Sequence, residues 1–358
     1  MSRYSRHIVL SEVGQQGQSL LSTAKVLVVG AGGLGCPVLQ YLAAAGIGTL
    51  GVIDFDVVEL SNLQRQILFG TSTIGMNKAL AAKNRLEDLN PSIQIHAYPE
   101  KLTAKNVLAL FDNYDIIVDG SDNFTTRYLV NDASIIANKP VVFGAIYKFE
   151  GQVSVFNYQN GPSYRCLFPE PPKEGSVANC SEVGVLGVLT GIIGSMQANE
   201  VIKMILGFNH VLSGKLLCYS AKTAEITTIK VEKSAKEFEK VYALKDHLTD
   251  QYPESSNENE VREISVEDAF NKENVQFIDI RERDEFPQIE IPPNLQIPLG
   301  TLEQNLNRLH AEKKYIIFCQ SGIRSKVATR LLQELGIPNC QSLQGGALGI
   351  MEHLKTKT

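Results

Sequence analysis

The sequence predicts an α/β protein of two units: a doubly wound, mostly parallel sheet followed by a smaller α/β domain. Three observations predict it. A short apolar run ends in a glycine-rich turn and leads into a helical pattern and a second apolar run. Strand and helix patterns then alternate to about residue 230. After a polar stretch, the alternation restarts over the remaining chain.

Lys25-Val-Leu-Val-Val-Gly30 is apolar and β-branched, the composition of a strand buried on both faces. Residues 34–45 follow with helical spacing, and Pro37 is tolerable in a first turn. Thr49-Leu-Gly-Val-Ile-Asp54 closes a βαβ unit. Residues 78–89 read as a helix, Tyr114-Asp-Ile-Ile-Val-Asp119 as a third strand and Pro140-Val-Val-Phe143 as a fourth. The apolar run 183–196, too short and too glycine-broken to cross a bilayer, leads into a buried helix ending near residue 205. Residues 233–260 turn polar, which is linker composition. Beyond them, 275–279 and 315–318 read as strands and 326–335 as a helix. The expected organisation is a first domain over 1–235, a linker over 236–260 and a second domain over 261–358, with no internal repeat.

A length of 358 residues fits about two domains. With 44% hydrophobic and 20% charged residues, the chain has an ordinary globular balance. A net charge of −5 without any Lys/Arg-rich block argues against nucleic acid or an anionic membrane as main partner. Residues 1–6 lead into no apolar signal core, so the expected location is cytoplasmic. The 6 cysteines are scattered and form no C-x-x-C pair, and the 6 histidines form no cluster.

Gly30-Ala-Gly-Gly-Leu-Gly35 is a G-x-G-x-x-G between strand and helix, the mark of a Rossmann-like nucleotide fold. Gly30, Gly32, Gly33 and Gly35 let the backbone approach phosphate, and the helix N-terminus offers unpaired N–H groups. Asp54, about twenty residues on, is placed for ribose hydroxyls. Such a motif alone also fits a nicotinamide oxidoreductase. Arg65, Lys78 and Asp122 shift the balance, because loops after parallel strands face one crevice. Two cations and a metal-holding carboxylate suit a triphosphate, with Asp122 offering oxygen to Mg²⁺. Taken singly, Arg65 and Lys78 also read as surface charges and Asp122 as a turn or capping residue.

Arg3-Tyr-Ser-Arg6, Val29-Gly-Ala-Gly-Gly-Leu-Gly-Cys-Pro37, Asp54-Phe-Asp56, Leu60-Ser-Asn-Leu-Gln-Arg-Gln66 and Ser121-Asp-Asn123 resemble the MoeB/ThiF family of ubiquitin-activating-like enzymes. The resemblance runs to about residue 230 and implies a homodimer that adenylates a carboxylate with ATP. It implies that Gly33, Asp54, Asp56, Ser61, Asn62, Leu63, Gln64, Arg65, Lys78, Asp122 and Asn123 bind ATP, with Asp122 on Mg²⁺. Arg6 would match an arginine reaching into the neighbouring protomer's site; read alone, it is a frayed basic terminus. The implied substrate is the Gly-Gly tail of a small ubiquitin-like sulfur-carrier protein of the MoaD or ThiS kind. Many family members hold zinc with two C-x-x-C pairs. Here the first position reads Ser163-Tyr-Arg-Cys166, and Leu217-Cys-Tyr-Ser-Ala-Lys222 has no pair. No zinc site is therefore expected, and Cys166 and Cys218 read as small buried hydrophobes.

Cys180, in Val177-Ala-Asn-Cys-Ser-Glu-Val-Gly184, resembles the family's crossover-loop cysteine and reads equally as a buried structural thiol. Cys319, in Phe318-Cys-Gln-Ser-Gly-Ile-Arg-Ser325, lies between a strand and a helix, where successive N–H groups form an anion nest. That helix N-terminus and Arg324 are expected to favour the thiolate. Phe277-Ile-Asp-Ile-Arg281 and Ile297-Pro-Leu299 add to a resemblance, over about 263–353, to the rhodanese domain. Cys319 would then carry sulfur as a persulfide, loaded by a donor such as a cysteine desulfurase. Gln320 departs from the arginine common at its position. Asp279 and Arg281 read as structural partners, and Gly345-Gly346 as a turn rather than a carrier tail.

Together these features predict ATP-dependent adenylation of a carrier's C-terminal glycine, MoaD type favoured, and sulfur transfer through Cys319 to give a thiocarboxylate. ThiS-type chemistry and tRNA thiolation are alternatives within the resemblance. A nicotinamide-dependent oxidoreductase and a non-catalytic carrier-binding scaffold are alternatives of other classes.

Overall fold

Alternating burial along the strands builds the larger sheet. In β1 (Lys25–Val29), Val26 and Val28 pack into one helix layer, Leu27 and Val29 into the other. Both faces are covered, as a parallel strand requires. The remaining strands are β2 (Thr49–Ile53), β3 (Gln94–Tyr98), β4 (Ile116–Asp119), β5 (Val141–Tyr147), β6 (Glu150–Phe156), β7 (Lys215–Ser220) and β8 (Ile226–Lys230). They form one 8-stranded sheet in the order β3-β2-β1-β4-β5-β6-β7-β8. The first five run parallel, and β6, β7 and β8 add an antiparallel extension.

This is the doubly wound α/β architecture expected, with three refinements. The strand at 116–119 is the fourth in chain order, because β3 precedes it. The strand expected at 140–143 continues to Tyr147 and turns back as β6. The polar stretch expected as linker from 236 opens instead with a helix, Ala235–Ala243. Its Phe238 and Val241, at i, i+3 spacing, pack on Ile135 of the helix Phe124–Ile136.

Helices Gly35–Ala45, Lys78–Leu89 and Gly187–Leu206 cover one face of the sheet, and Val107–Phe111 and Phe124–Ile136 the other. The structure, a computed structural model, describes residues 3–172, 184–245, 248–249, 261–283, 285–291 and 294–356. It divides into two units, one built from Met1–Pro171 and Gly184–Tyr252, the other chiefly from Pro253–Thr358.

The second unit has five parallel strands: β9 (Glu263–Ile264), β10 (Val275–Asp279), β11 (Asn294–Gln296), β12 (Lys314–Phe318) and β13 (Cys340–Leu343), in the order β11-β10-β12-β13-β9. Ile278, Tyr315 and Ile317 pack on one side and Phe277, Ile316 and Phe318 on the other. No described helix is long and apolar enough to cross a membrane.

Candidate functional site

β1 and β4 are neighbours, yet the chain leaves them toward opposite faces, which opens a crevice at their carboxyl ends. The glycine loop lines it. Gly30 has φ +91°, and a Cβ there would meet the Gly120 carbonyl at 3.1 Å. A Cβ on Gly35 would lie 1.9 Å from the Gly30 carbonyl oxygen, so only glycine lets this turn close onto its helix. The Asp54 carboxylate accepts from Ala31 N at 2.8 Å and from Asp56 N at 2.9 Å. Burial pushes the Asp54 carboxyl above the usual aspartate range, against the pull of these N–H groups and Lys78.

Asn77 ties the next loop to this one. Its Nδ2 donates to the carbonyls of Asp54 and Asp56, while its Oδ1 caps the helix at Leu80 N. The cap sets Lys78 at the first helical position. Lys78 is 6% exposed, and its Nζ lies 3.1 Å from Asp56 Oδ2. Asn62 Oδ1 accepts from Glu59 N, and Arg65 Nη1 donates to the Ser61 carbonyl, so residues 59–65 form one rigid turn. Cys36, in the glycine-loop helix, reports on the cluster. Burial pushes its thiol up to about 12, while the charges of Lys78, Asp54 and Arg65 all act on it. The structure thus gathers Gly30, Gly32, Gly33, Gly35, Asp54, Asp56, Arg65 and Lys78 around one turn.

Asp122 follows two residues after Gly120. It is exposed and makes no ion pair or side-chain hydrogen bond among the described residues. Asn123 caps the next helix by accepting from Thr126 N at 2.9 Å. Behind them Asp119 is 2% exposed and accepts from Ser121 Oγ at 2.6 Å. Burial raises its carboxyl, opposed by Arg127 and Ser121 and reinforced by Asp122. An open carboxylate at a strand end fits Mg²⁺, which binds through one or two protein oxygens, waters and phosphate. No group of three or more potential metal-holding side chains lies among the described residues, and magnesium held this way needs none.

Two residues not singled out from the sequence also line the crevice. Gln66 is 3% exposed, its Nε2 lies 4.0 Å from where a Gly32 Cβ would stand, and its Oε1 is buried without a partner among the described residues. Thr190, in the helix Gly187–Leu206, would meet a Gly33 Cβ at 2.9 Å. Gln66 closes the quoted motif and was legible there; Thr190 is 125 residues from Arg65, whose carbonyl its Oγ1 reaches at 3.4 Å, and no local signal marks it.

Arg6 is not brought to this crevice. Its segment sits at the opposite ends of the helices: Arg3 donates to the Leu89 carbonyl, and Asn90 Nδ2 donates to Tyr4 Oη. Cys180 lies outside the described residues. Cys166 and Cys218 are half-buried rather than buried, and the Cys166 thiol accepts from Ser163 N at 3.4 Å and Ser234 N at 3.2 Å.

In the second unit, β12 delivers Cys319 to the start of a tight loop, with its side chain fully buried. Gly322 N donates to its Sγ at 3.2 Å, and Ser325 Oγ lies 3.8 Å away. Gly322 has φ +101°, which turns its N–H inward. Ala347 N holds the Cys319 carbonyl at 2.8 Å, placing the Gly345-Gly346 turn beneath the loop. Asp279 and Arg281 form a buried bidentate pair at 2.9 and 2.7 Å. Arg324, expected as a cation for the thiolate, is instead clasped by Glu285 at 2.8 and 2.6 Å, so its charge is already matched.

Comparison with known proteins agrees with this geometry. The ThiF family model matches residues 4–254 and the rhodanese-like domain model residues 264–353. The "Probable adenylyltransferase/sulfurtransferase MoeZ" of Mycobacterium tuberculosis is 38% identical, covering 97% of this chain and 91% of that protein. The "Sulfur carrier protein adenylyltransferase" of Thermus thermophilus is 51% identical over 65% of this chain and 88% of its own length. Among solved structures, E. coli MccB with MccA-N7isoASN aligns with a TM-score of 0.58 at 25% identity, covering 65% of this chain and 72% of that one. The chain therefore belongs to the ThiF family, carries a C-terminal rhodanese domain, and is an adenylyltransferase and sulfurtransferase.

Proposed function

We propose that the first unit adenylates the C-terminal glycine of a small ubiquitin-like sulfur carrier, MoaD type favoured over ThiS type, and that Cys319 of the second unit supplies sulfur as a persulfide. The observation that carries the reading is one crevice holding a glycine cradle, a ribose-ready Asp54 and a buried Lys78, with the charges of Lys78 and Arg65 both acting on Cys36 of the glycine-loop helix. The carrier carboxylate attacks the α-phosphate of ATP and pyrophosphate leaves. Loop N–H groups receive phosphate oxygens, Lys78 and Arg65 stabilise the charge that grows on the leaving group, and Asp54 orients the ribose. The turn Ser61, Asn62, Leu63 and Gln64 shapes the same wall, and Asn123 stands beside Asp122. Asp122 would hold Mg²⁺, which when bound neutralises phosphate charge. A crevice with matched cations fits a triphosphate better than a dinucleotide.

The terminal sulfur of the Cys319 persulfide then attacks the acyl-adenylate carbonyl. The bond to AMP breaks, AMP leaves with the electron pair, and an acyl disulfide remains. A second thiol, in our reading Cys180, attacks the Cys319 sulfur and expels the thiocarboxylate, leaving a disulfide for an external dithiol to reduce. The protein acts in the cytoplasm as a homodimer, with Arg6 serving the neighbouring protomer, and a cysteine desulfurase-type persulfide reloads Cys319. The test compares C319A with wild type on purified carrier and ATP, with a cysteine desulfurase and cysteine as the only sulfur source and no small-molecule persulfide added. ATP–pyrophosphate exchange persists and thiocarboxylate, read by carrier mass, disappears. Sulfur transfer that survives C319A refutes the role of Cys319.

A further inference from the structure

We propose that Glu285 selects the sulfur donor by filling the anion seat of the Cys319 loop, which excludes dianionic donors such as thiosulfate in favour of thiol persulfides. The inference rests on the reading of Cys319 as sulfur carrier. A loop that draws a sulfonate-headed donor to a thiolate needs a cation that the donor can engage. The guanidinium in this loop is already engaged. Arg324 Nη1 and Nη2 donate to the two Glu285 oxygens at 2.8 and 2.6 Å, and the two side chains are 9% and 10% exposed. Glu285 is itself held, since its Oε1 accepts from Glu282 N at 2.9 Å. Burial pushes the Glu285 carboxyl up, but Arg324, the Glu282 N–H and Arg281 outweigh it and hold it below the usual range. It is therefore ionised at neutral pH and matches Arg324 charge for charge.

A second guanidinium facing the loop, that of Arg281, is committed as well. Arg281, 1% exposed, is paired with Asp279, and its Nη1 donates to Gln320 Oε1 at 3.0 Å. Gln320 Nε2 in turn donates to the Phe286 carbonyl at 2.9 Å. The second residue of the loop is thereby fixed to Arg281 and Phe286. A dianion entering here loses its hydration and must displace a buried carboxylate to find a counter-charge. A persulfide faces a smaller barrier. The Cys319 thiolate attacks its outer sulfur, the S–S bond breaks, and the donor leaves as a thiol, taking the bonding pair and the persulfide proton. Thiosulfate would undergo the same attack at its sulfane sulfur and expel sulfite.

The experiment loads the full chain from glutathione persulfide or from thiosulfate at equal concentration and follows the gain of one sulfur at Cys319 by peptide mass. The wild type is expected to load at least about tenfold faster from persulfide, and E285Q to raise the thiosulfate-to-persulfide rate ratio about tenfold, the change that roughly 1.4 kcal/mol of barrier gives. A wild type that loads from thiosulfate as readily as from persulfide overturns the proposal, and so does a folded E285Q with an unchanged ratio. Should E285Q not fold, the wild-type ratio alone decides. C319A separates the two readings: sulfur retained elsewhere in that variant sinks the carrier role of Cys319, independently of Glu285.

Discussion

Replacing Lys78 with methionine removes one charge from the crevice and nearly preserves the side-chain shape. At an effective dielectric near 20, a full charge about 4 Å from a phosphate oxygen is worth about 4 kcal/mol. Asp56, 3.1 Å from the ammonium, offsets part of that attraction, but its side chain is 50% exposed and screened by solvent. Roughly 2–3 kcal/mol remains, which corresponds to a loss of about 30- to 150-fold in rate. Folding should hardly notice the change. An ion pair with one partner half in water contributes about 0–1 kcal/mol, and the released Asp56 carboxylate can hydrate. The assay is carrier-dependent ATP–pyrophosphate exchange beside a thermal melt. A K78M protein exchanging within threefold of wild type refutes the placement of Lys78 against the phosphates. A loss of exchange that merely follows a collapse of the melting temperature refutes the separation of charge from packing.

Two further outcomes follow from the crevice. G33A costs about 1–3 kcal/mol of stability by overpacking against Thr190, and G33A/T190S recovers part of it while nucleotide binding stays impaired; recovery of both together by calorimetry would mean that Gly33 serves packing alone. Because burial holds the Asp54 carboxyl above the ordinary aspartate range and ribose binding needs it ionised, ATP affinity falls as pH is lowered through that raised range and recovers as pH rises; the acid limb should vanish in D54N, and an unchanged limb there would assign it to another group.

The parallel half of the fold is legible because its strands are buried on both faces. Val26, Leu27 and Val28 are each 0% exposed, and an unbroken apolar run records that directly. β3 leaves a fainter trace: at the sheet edge, only Ile95 of its five residues is buried, so Gln94 and His96 break the run. β8 leaves less still, with every residue exposed. The helix Ala235–Ala243 was hidden by composition, since two apolar anchors among lysines and glutamates suffice to dock it. In the crevice, the motif residues could be named, but not that Asn77 laces their loops together, which depends on contacts 21 and 23 residues apart. The Arg324–Glu285 clasp spans 39 residues and has no local signature at all.

Neighbouring strands that send their chains to opposite sides have one more implication. The cleft at β1 and β4 arises from how the polypeptide is wound, and its floor is a hydrogen-bonded ladder whose residues Val28 and Val118 face only the interior. Whatever occupies it is chosen by short connecting segments that can be exchanged while the winding stays intact. Such a molecule can acquire new ligands by editing its rim, as a mould keeps its hollow when only the lip is recut.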